Sequence, residues 1–244
     1  VWWDVLVDIE VVKEAVASRA FSDLLPLLRE SRVIGLGTGS TIKYFIRELL
    51  RNELFRDHVF VASSIDTIMF LHAYSPDTYV ADISSVNVVD VYVDGADEVS
   101  AKLDLVKGRG AAFLREKMIA LRSRHKIYLV DYRKYNGKDY LYRKPVPVEV
   151  VVHALPWVLD RLCLNGLFKP VIRMGKAKDG PVVSDNGNIV IDLYPLKPID
   201  NPGLIDRELR SINGVVETGL FPRELVDKVY IGYEDKVVVL KGRG

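Results

Sequence analysis

Glutamine is absent from this chain of 244 residues, cysteine occurs once, and no apolar run is long enough to cross a bilayer as a helix. Each shortage narrows the field. One cysteine, Cys163, excludes an internal disulfide and fits a reducing compartment. The apolar helical pattern around Cys163 places it in a core. The missing glutamine, a thermolabile residue type, points toward a thermophilic source. The opening VWWDVLVDIE lacks the basic-then-apolar order of a signal peptide, so a cytoplasmic location is expected and no membrane partner. A formal net charge of +1 supplies no global field toward nucleic acid, and no DNA-binding helix or basic arm supports a regulator. Any bound anion must be held locally. The four histidines, His58, His72, His125 and His153, lack ligand spacing, so neither a metal nor a redox cofactor is expected.

What is present is an ordinary globular composition, 49% hydrophobic and 27% charged, in a chain long enough for one large domain or two modest ones. Its first half alternates helical and strand patterns. IEVVKEAVASRAF, TIKYFIRELLRN, a stretch around DTIMFLHAY, and AAFLREKMIALRS read as helices. RVIGLG, VFVASS, VNVVDVYVDG and KIYLVD read as strands between them. That alternation predicts βαβ units and a doubly wound, mainly parallel sheet of Rossmann-like type, with ligands beyond the carboxyl ends of the strands. The unusual clusters GTGST, SS, DGADE and DYRK all fall at such ends.

The rhythm changes at YRKPVPVEV, where two prolines mark a boundary. HALPWVLDRLCLNG predicts a helix with Val152, Leu155, Val158, Leu159 and Leu162 on one face, stopped by Asn165 and Gly166. Short strands with hairpin turns at KDG and DNGN follow, Asp185 and Asn186 being read as turn residues, and then a helix at PGLIDRELRSI. The β-α-β-β-α order predicts a second, smaller α+β module of ferredoxin-like type over 144–214, with 1–143 plus 215–244 forming the larger unit.

Three segments carry candidate chemistry. GLGTGST, Gly35 to Thr41, joins a strand to a helix through a glycine turn, which leaves N–H groups free at a helix N-terminus for an anion. It is neither a Walker loop, having no lysine before the Ser-Thr pair, nor a dinucleotide fingerprint, since Ser40 stands where the third glycine belongs. A small-molecule phosphate fits it better than a plain turn does. VDGADEV crowds Asp94, Asp97 and Glu98 behind an apolar run. In LVKGRGAAFLREK, Lys107 and the following amides can meet a developing oxyanion. Glu116, on the second turn of the next helix, suits a general base, but with Arg115 and Lys117 beside it the segment alone reads equally well as a solvated helix face.

Together GLGTGST, DGADE, KGRGAAFLREK, PVPVEV, SDNGNIVIDL and GVVETGLF occur in the order found in type A ribose-5-phosphate isomerases, which the chain resembles from about Lys13 to its end. The resemblance implies an aldose–ketose isomerase of the non-oxidative pentose phosphate pathway, passing through an enediolate, without a cofactor. It places the phosphate loop on Gly37, Thr38, Gly39, Ser40 and Thr41. The acidic motif falls on Asp94, Gly95, Ala96 and Asp97, the lysine loop on Lys107, Gly108, Arg109 and Gly110, and the base on Glu116. Lys13 and Lys134 become substrate-binding lysines. Asp94 is assigned to opening the sugar ring, and Asp97 to binding hydroxyls and orienting Lys107. A homodimer or homotetramer is implied.

One position departs from the family: Arg109 replaces the middle glycine of the loop. Arginine is costly there if the backbone needs φ > 0, and harmless if only its N–H is used. A sugar-phosphate deaminase or lactonase on a related fold calls for a histidine near the acidic motif, and none is there. A non-catalytic sugar-phosphate sensor predicts loss of the base or the lysine, and both are kept.

Overall fold

A computed structural model of the protein describes residues 8–52, 57–164, 166–177 and 179–242. Three features named above lie outside the described residues, the opening VWWDVLV, Asn165 of the helix stop and Lys178 of the KDG turn, as do Arg243 and Gly244.

Chain order gives α1 (Ile9–Glu30), β1 (Val33–Leu36), α2 (Ser40–Arg51), β2 (Val59–Ala62), α3 (Ile65–Tyr74), β3 (Val80–Ala81) and β4 (Val89–Asp94). Then come β5 (Glu98–Val99), β6 (Leu105–Val106), α4 (Phe113–Arg122) and β7 (Ser123–Asp131). Strands β1 to β4 and β7, with β13 (Lys228–Gly232) and β14 (Val237–Lys241), build a seven-stranded sheet in the order β14-β13-β7-β4-β1-β2-β3, and β5 and β6 pair apart from it. All its pairings are parallel except that of edge strand β14. The chain winds outward in both directions from the β1–β4 pair. Such a switch point opens a crevice at the carboxyl ends of the two strands.

Alternation along the strands fills both faces. Val91 and Val93 of β4 point into a core shared with α1, α2 and Leu71 of α3, while Tyr92 points to the opposite core with Phe113, Ile119 and Ala120 of α4. Helix α1 shows why these segments settle as they do. The Asp8 carboxylate accepts from the Glu10 N–H (3.0 Å) to cap the helix, and Val12, Val16, Ala20, Leu24 and Leu28 form a buried stripe at i+4 spacing.

The smaller sheet uses β8 (Val146–Val150), β9 (Phe168–Ile172), β10 (Ile189–Pro195) and β11 (Val215–Thr218), with helices α5 (Leu155–Leu164) and α6 (Pro202–Arg210). Its order, β11-β8-β10-β9, is antiparallel throughout and completes a βαββαβ pattern. Strand β11 pairs with β8, so residues 215–218 join this smaller sheet and not the larger unit to which a boundary at 214 assigns them. The segment GVVETGLF forms two strands that divide at Gly219. β11 stays with the small sheet, and β12 (Leu220–Phe221) crosses to pair with β6. A Cβ on Gly219 would stand 2.2 Å from the Lys107 carbonyl oxygen, so the crossing chain runs against the lysine loop with no room for a side chain.

Two expectations around α5 fail. Val152 is 44% exposed because it lies in a 3-10 turn before the helix proper, so the apolar stripe begins only at Leu155. Cys163 is exposed, one position round from buried Leu162. Its apolar neighbours in sequence face inward and it does not.

Candidate active site

The carboxyl ends of β1, β4, β6 and β7 surround a cavity of about 390 Å³. Lining it are Lys13, Thr38, Gly39, Ser40, Thr41, Gly95, Ala96, Asp97, Lys107, Gly108, Arg109, Gly110, Glu116 and Lys134. Of the residues that the resemblance assigns to the site, Gly37 and Asp94 alone are not part of its wall.

Those two explain each other. A Cβ on Gly37 would sit 1.8 Å from Asp94 Oδ1, so the glycine is required by the carboxylate packed against it. Asp94 is completely buried: its Oδ1 accepts from the N–H groups of Gly95 (2.6 Å) and Thr38 (3.2 Å). Its Oδ2 accepts from the Tyr92 hydroxyl and pairs with Lys107 Nζ at 2.7 Å. Asp94 thus welds the glycine loop after β1 to the lysine loop. At Gly39 the backbone takes φ +125°, a left-handed value that favours glycine, and α2 starts at the next residue with no side chain capping it. Its first N–H groups and the Ser40 and Thr41 hydroxyls therefore remain available to an anion. Thr38 is less free: its hydroxyl bonds Ser63 Oγ (2.8 Å) and Ser64 Oγ (2.7 Å) at the end of β2.

The acidic motif divides into three environments. Asp94 lies beneath the floor. Asp97 faces the cavity, accepting from the Arg109 N–H at 2.9 Å, with Lys134 Nζ at 3.9 Å. Glu98 turns the other way and is a structural bracket: Oε1 accepts from Asn136 Nδ2 (2.6 Å) and the Tyr142 N–H (3.0 Å), Oε2 from the Lys144 N–H (2.9 Å). So the crowding of three carboxylates serves the cavity at two positions only.

Lys107 is 3% exposed, and its ammonium touches Asp94, the Gly95 carbonyl (2.6 Å) and Glu116 Oε2 (3.2 Å). It is Asp94, not Asp97, that orients it. Burial works against the charge of Lys107, but Asp94 and Glu116 outweigh it and hold the ammonium well above the usual lysine value. Glu116 lies on the first turn of α4, not the second. Burial, helped by the charge of Asp94 and opposed by Lys107, pushes its carboxyl up to about 8. Its Oε2 contact with Lys107 is a charge contact outside hydrogen-bond angles, so this oxygen has no hydrogen-bond partner. A carboxylate with high proton affinity at a cavity wall, one oxygen of which makes no hydrogen bond, can accept a proton from a bound carbon acid.

Lys117, next in sequence, is not on a solvated face: it is 2% exposed, between Asp206 (2.8 Å) and Glu217 (2.7 Å). It pins the start of α4 to α6 and β11 and so fixes where Glu116 stands.

Arg109 carries no backbone strain. The left-handed values in its loop belong to Gly108 (φ +103°) and Ala111 (φ +58°), while its own N–H serves Asp97. At Gly108 a Cβ would stand 2.6 Å from the Phe113 ring and 2.7 Å from Pro147, so that glycine is obligatory where the Arg109 position is not.

Comparison with known proteins agrees with this geometry. Residues 59–236 match the family ribose 5-phosphate isomerase A (phosphoriboisomerase A). The chain belongs to this family. Ribose-5-phosphate isomerase A of Pyrococcus horikoshii is 41% identical over 239 residues, covering 96% of this chain and 99% of that one. A solved D-ribose-5-phosphate isomerase in complex with phospho-erythronic acid superposes with a TM-score of 0.85 at 40% identity, over 95% of this chain and 98% of the other. Ribose 5-phosphate isomerase A from Methanocaldococcus jannaschii gives a TM-score of 0.84 at 35% identity, over 96% and 100%.

Within this member of the family the cavity wall includes residues that sequence reasoning passed over. Asp131 and Arg133 line it at the end of β7. Burial raises the Asp131 carboxyl, but the hydrogen bond and charge of Arg133 (Nε to Oδ1, 2.8 Å) prevail and hold it below the usual range. DYRK signalled them as a strand-end cluster, and only Lys134 was taken from it. Burial pulls the Lys134 ammonium below its usual value, against the charges of Asp97 and Asp131. Lys13 of α1 reaches the cavity while paired with Glu10 at 2.6 Å. Asp185 and Asn186 do more than turn the chain: Asp185 Oδ2 accepts from the Ile65 N–H (3.0 Å), and Asn186 Oδ1 from Arg115 Nε (2.9 Å), which locks the hairpin to α3 and α4.

Proposed function

We propose that this chain interconverts D-ribose 5-phosphate and D-ribulose 5-phosphate through an enediolate. The observation that carries the reading is the pairing of Glu116, raised in proton affinity and with one oxygen unbonded, with Lys107 in a cavity that also presents a free helix N-terminus. Phosphate binds at the start of α2, to Ser40, Thr41 and loop N–H groups, with Lys13 and Lys134 supplying charge. That anchors the sugar's far end and carries C1 and C2 toward Glu116. The carboxylate removes the C2 proton, and the electron pair left behind forms the C1–C2 double bond of the enediolate. Charge on oxygen is met by Lys107 and a loop amide. The proton on O2 passes to O1, and Glu116 returns its proton to C1, giving the ketose. Ribulose 5-phosphate in the reverse direction retraces these steps.

Asp97, exposed to the cavity, suits the sugar hydroxyls. The ring-opening role implied for Asp94 asks for reach that its buried carboxylate lacks, so in this reading Asp94 acts through Lys107, 2.7 Å away at the wall. We read 144–218 as the smaller unit, supporting the loops that the larger one carries. None of the helices among the described residues is long and apolar enough to cross a membrane, and we place the enzyme in the cytoplasm. We read it as a homodimer or homotetramer; exposed Val171, Met174, Tyr194 and Leu196 give the smaller sheet and its hairpin apolar surface for another copy. The test is direct. Purified protein given ribose 5-phosphate should yield ribulose 5-phosphate and wash the C2 hydrogen into heavy water; absence of both ends the reading.

A further inference from the structure

Arg173 follows β9 and is not part of the cavity wall, yet it holds the loop that is. Its Nη1 donates to the carbonyl oxygens of Gly108 (2.8 Å) and Arg109 (3.1 Å). Its other edge is fixed by Asp192 of β10, which accepts from Nε at 2.9 Å and also from Nη2. The two-pronged carboxylate leaves the guanidinium no freedom to turn. The small sheet thus presents a rigid cation to the back of the loop.

In a trans peptide the N–H points opposite to the carbonyl, and none of the described peptide bonds is cis. The Gly108–Arg109 peptide shows the consequence: its carbonyl meets Arg173, and its N–H meets Asp97 on the cavity side. The Arg109–Gly110 peptide has its carbonyl on Arg173 as well, so the Gly110 N–H faces the cavity. Among the described residues nothing accepts from that N–H. A cation on the carbonyl also draws electron density along the peptide and strengthens its N–H as a donor.

We propose that Arg173 is a positioning residue that aims and polarises the Gly110 N–H at the oxygen that becomes negative in the enediolate, beside Lys107. The inference rests on the isomerase reading. It also explains how the loop tolerates arginine at 109: the peptide groups flanking that residue are held by the side chains of Arg173 and Asp97, and its own side chain is left free of the task.

The experiment compares wild type, Arg173→Met and Arg173→Lys. Wild-type turnover of ribose 5-phosphate tests the reading itself; the variants test the brace only once that turnover is seen. Loss of one oxyanion donor costs about 10²–10³-fold in kcat, so a misaimed donor in R173M should cost about 10–100-fold, with KM changed less than about threefold. Lysine keeps the charge but not the fork, so R173K should recover only part of kcat. 4-Phosphoerythronate, whose carboxylate imitates the enediolate charge, should bind R173M about tenfold more weakly than wild type, while inorganic phosphate binds both alike. Should R173M fail to fold, R173K decides on the same measurements. Wild-type kcat and phosphoerythronate affinity in a folded variant, or an equal loss of inorganic phosphate binding, would overturn the proposal.

Discussion

Two buried lysines, Lys107 and Lys117, stand over the ring of Phe221, at 5.5 and 5.2 Å from its centre, and each lies between two carboxylates. Only one of them faces the cavity. Around Lys117 the charges close: Arg210 approaches Asp206 (3.6 Å) and Glu217 (4.0 Å), so two cations meet two anions. Thr218 donates its N–H to Glu217 (2.8 Å) and its hydroxyl to Asp206. Around Lys107 one ammonium serves both Asp94 and Glu116, and Asp94 takes the shorter contact. The cluster is one cation short, and Glu116 holds the deficit as proton affinity. A buried charge cluster supports structure when its charges balance and can support chemistry when one carboxylate is left under-neutralised.

The sharpest way to break this contrast is Glu116→Gln. General-base contributions are about 10²–10⁴-fold, so kcat should fall by at least that much and C2 exchange should fall in parallel. Inorganic phosphate binding should persist. Turnover and C2 exchange that survive in E116Q would overturn Glu116 as the base. The matching change on the balanced side is Lys117→Met, which leaves Asp206 and Glu217 buried without their ammonium. Breaking a buried pair from one side costs about 3–5 kcal/mol. K117M should therefore show its defect in chemical denaturation, with kcat of the folded enzyme within about tenfold of wild type. A larger kcat loss at unchanged stability would mean that Lys117 belongs to the chemistry.

Sequence could not separate Glu116 from Lys117, because adjacent residues in REK share every local signal and differ only in what α6, β11 and the lysine loop bring to them. The doubly wound sheet was legible, since its apolar strands and amphipathic helices carry their own periodicity. So was the glycine turn into α2, where Gly39 and the Ser-Thr pair announce a helix start. The partners of Asp94 were not: Tyr92, Gly37 and Lys107 meet it across three segments. Nor was the place of Glu98 legible, since an acidic run does not reveal which members turn to the backbone of residues 142 and 144. Arg173 gave no signal at all, because its work is done on carbonyls 64 and 65 positions away.

A smaller effect should follow at the far end of the substrate. Ser40→Ala combined with Thr41→Ala removes two hydroxyl donors from the phosphate. Hydrogen bonds to charged groups contribute about 1.5–3 kcal/mol each, part of which loop N–H groups and water replace. KM should rise by tens of fold, with a lesser fall in kcat from poorer positioning of the reacting carbons. Unchanged affinity for ribose 5-phosphate would remove the phosphate from this loop.

The mildest test uses pH to sharpen the same contrast. A base whose carboxyl is pushed up to about 8 is mostly protonated at pH 7, so kcat/KM should climb about tenfold between pH 7 and 9 before levelling. The sign for stability is opposite. A group whose folded pKa is raised contributes stability that is fully present below its unfolded value, near 4.5, and lost as pH rises through the folded value. Wild type should therefore lose thermal stability between about pH 5 and 8 while gaining activity near the top of that range. E116Q, with nothing to ionise at this position, should lose less over the same interval and be the more stable protein at pH 9. If the two melting curves shift together with pH, Glu116 is not the group that stores the deficit, and the charge asymmetry between the two lysine clusters does not explain why only one of them is chemical.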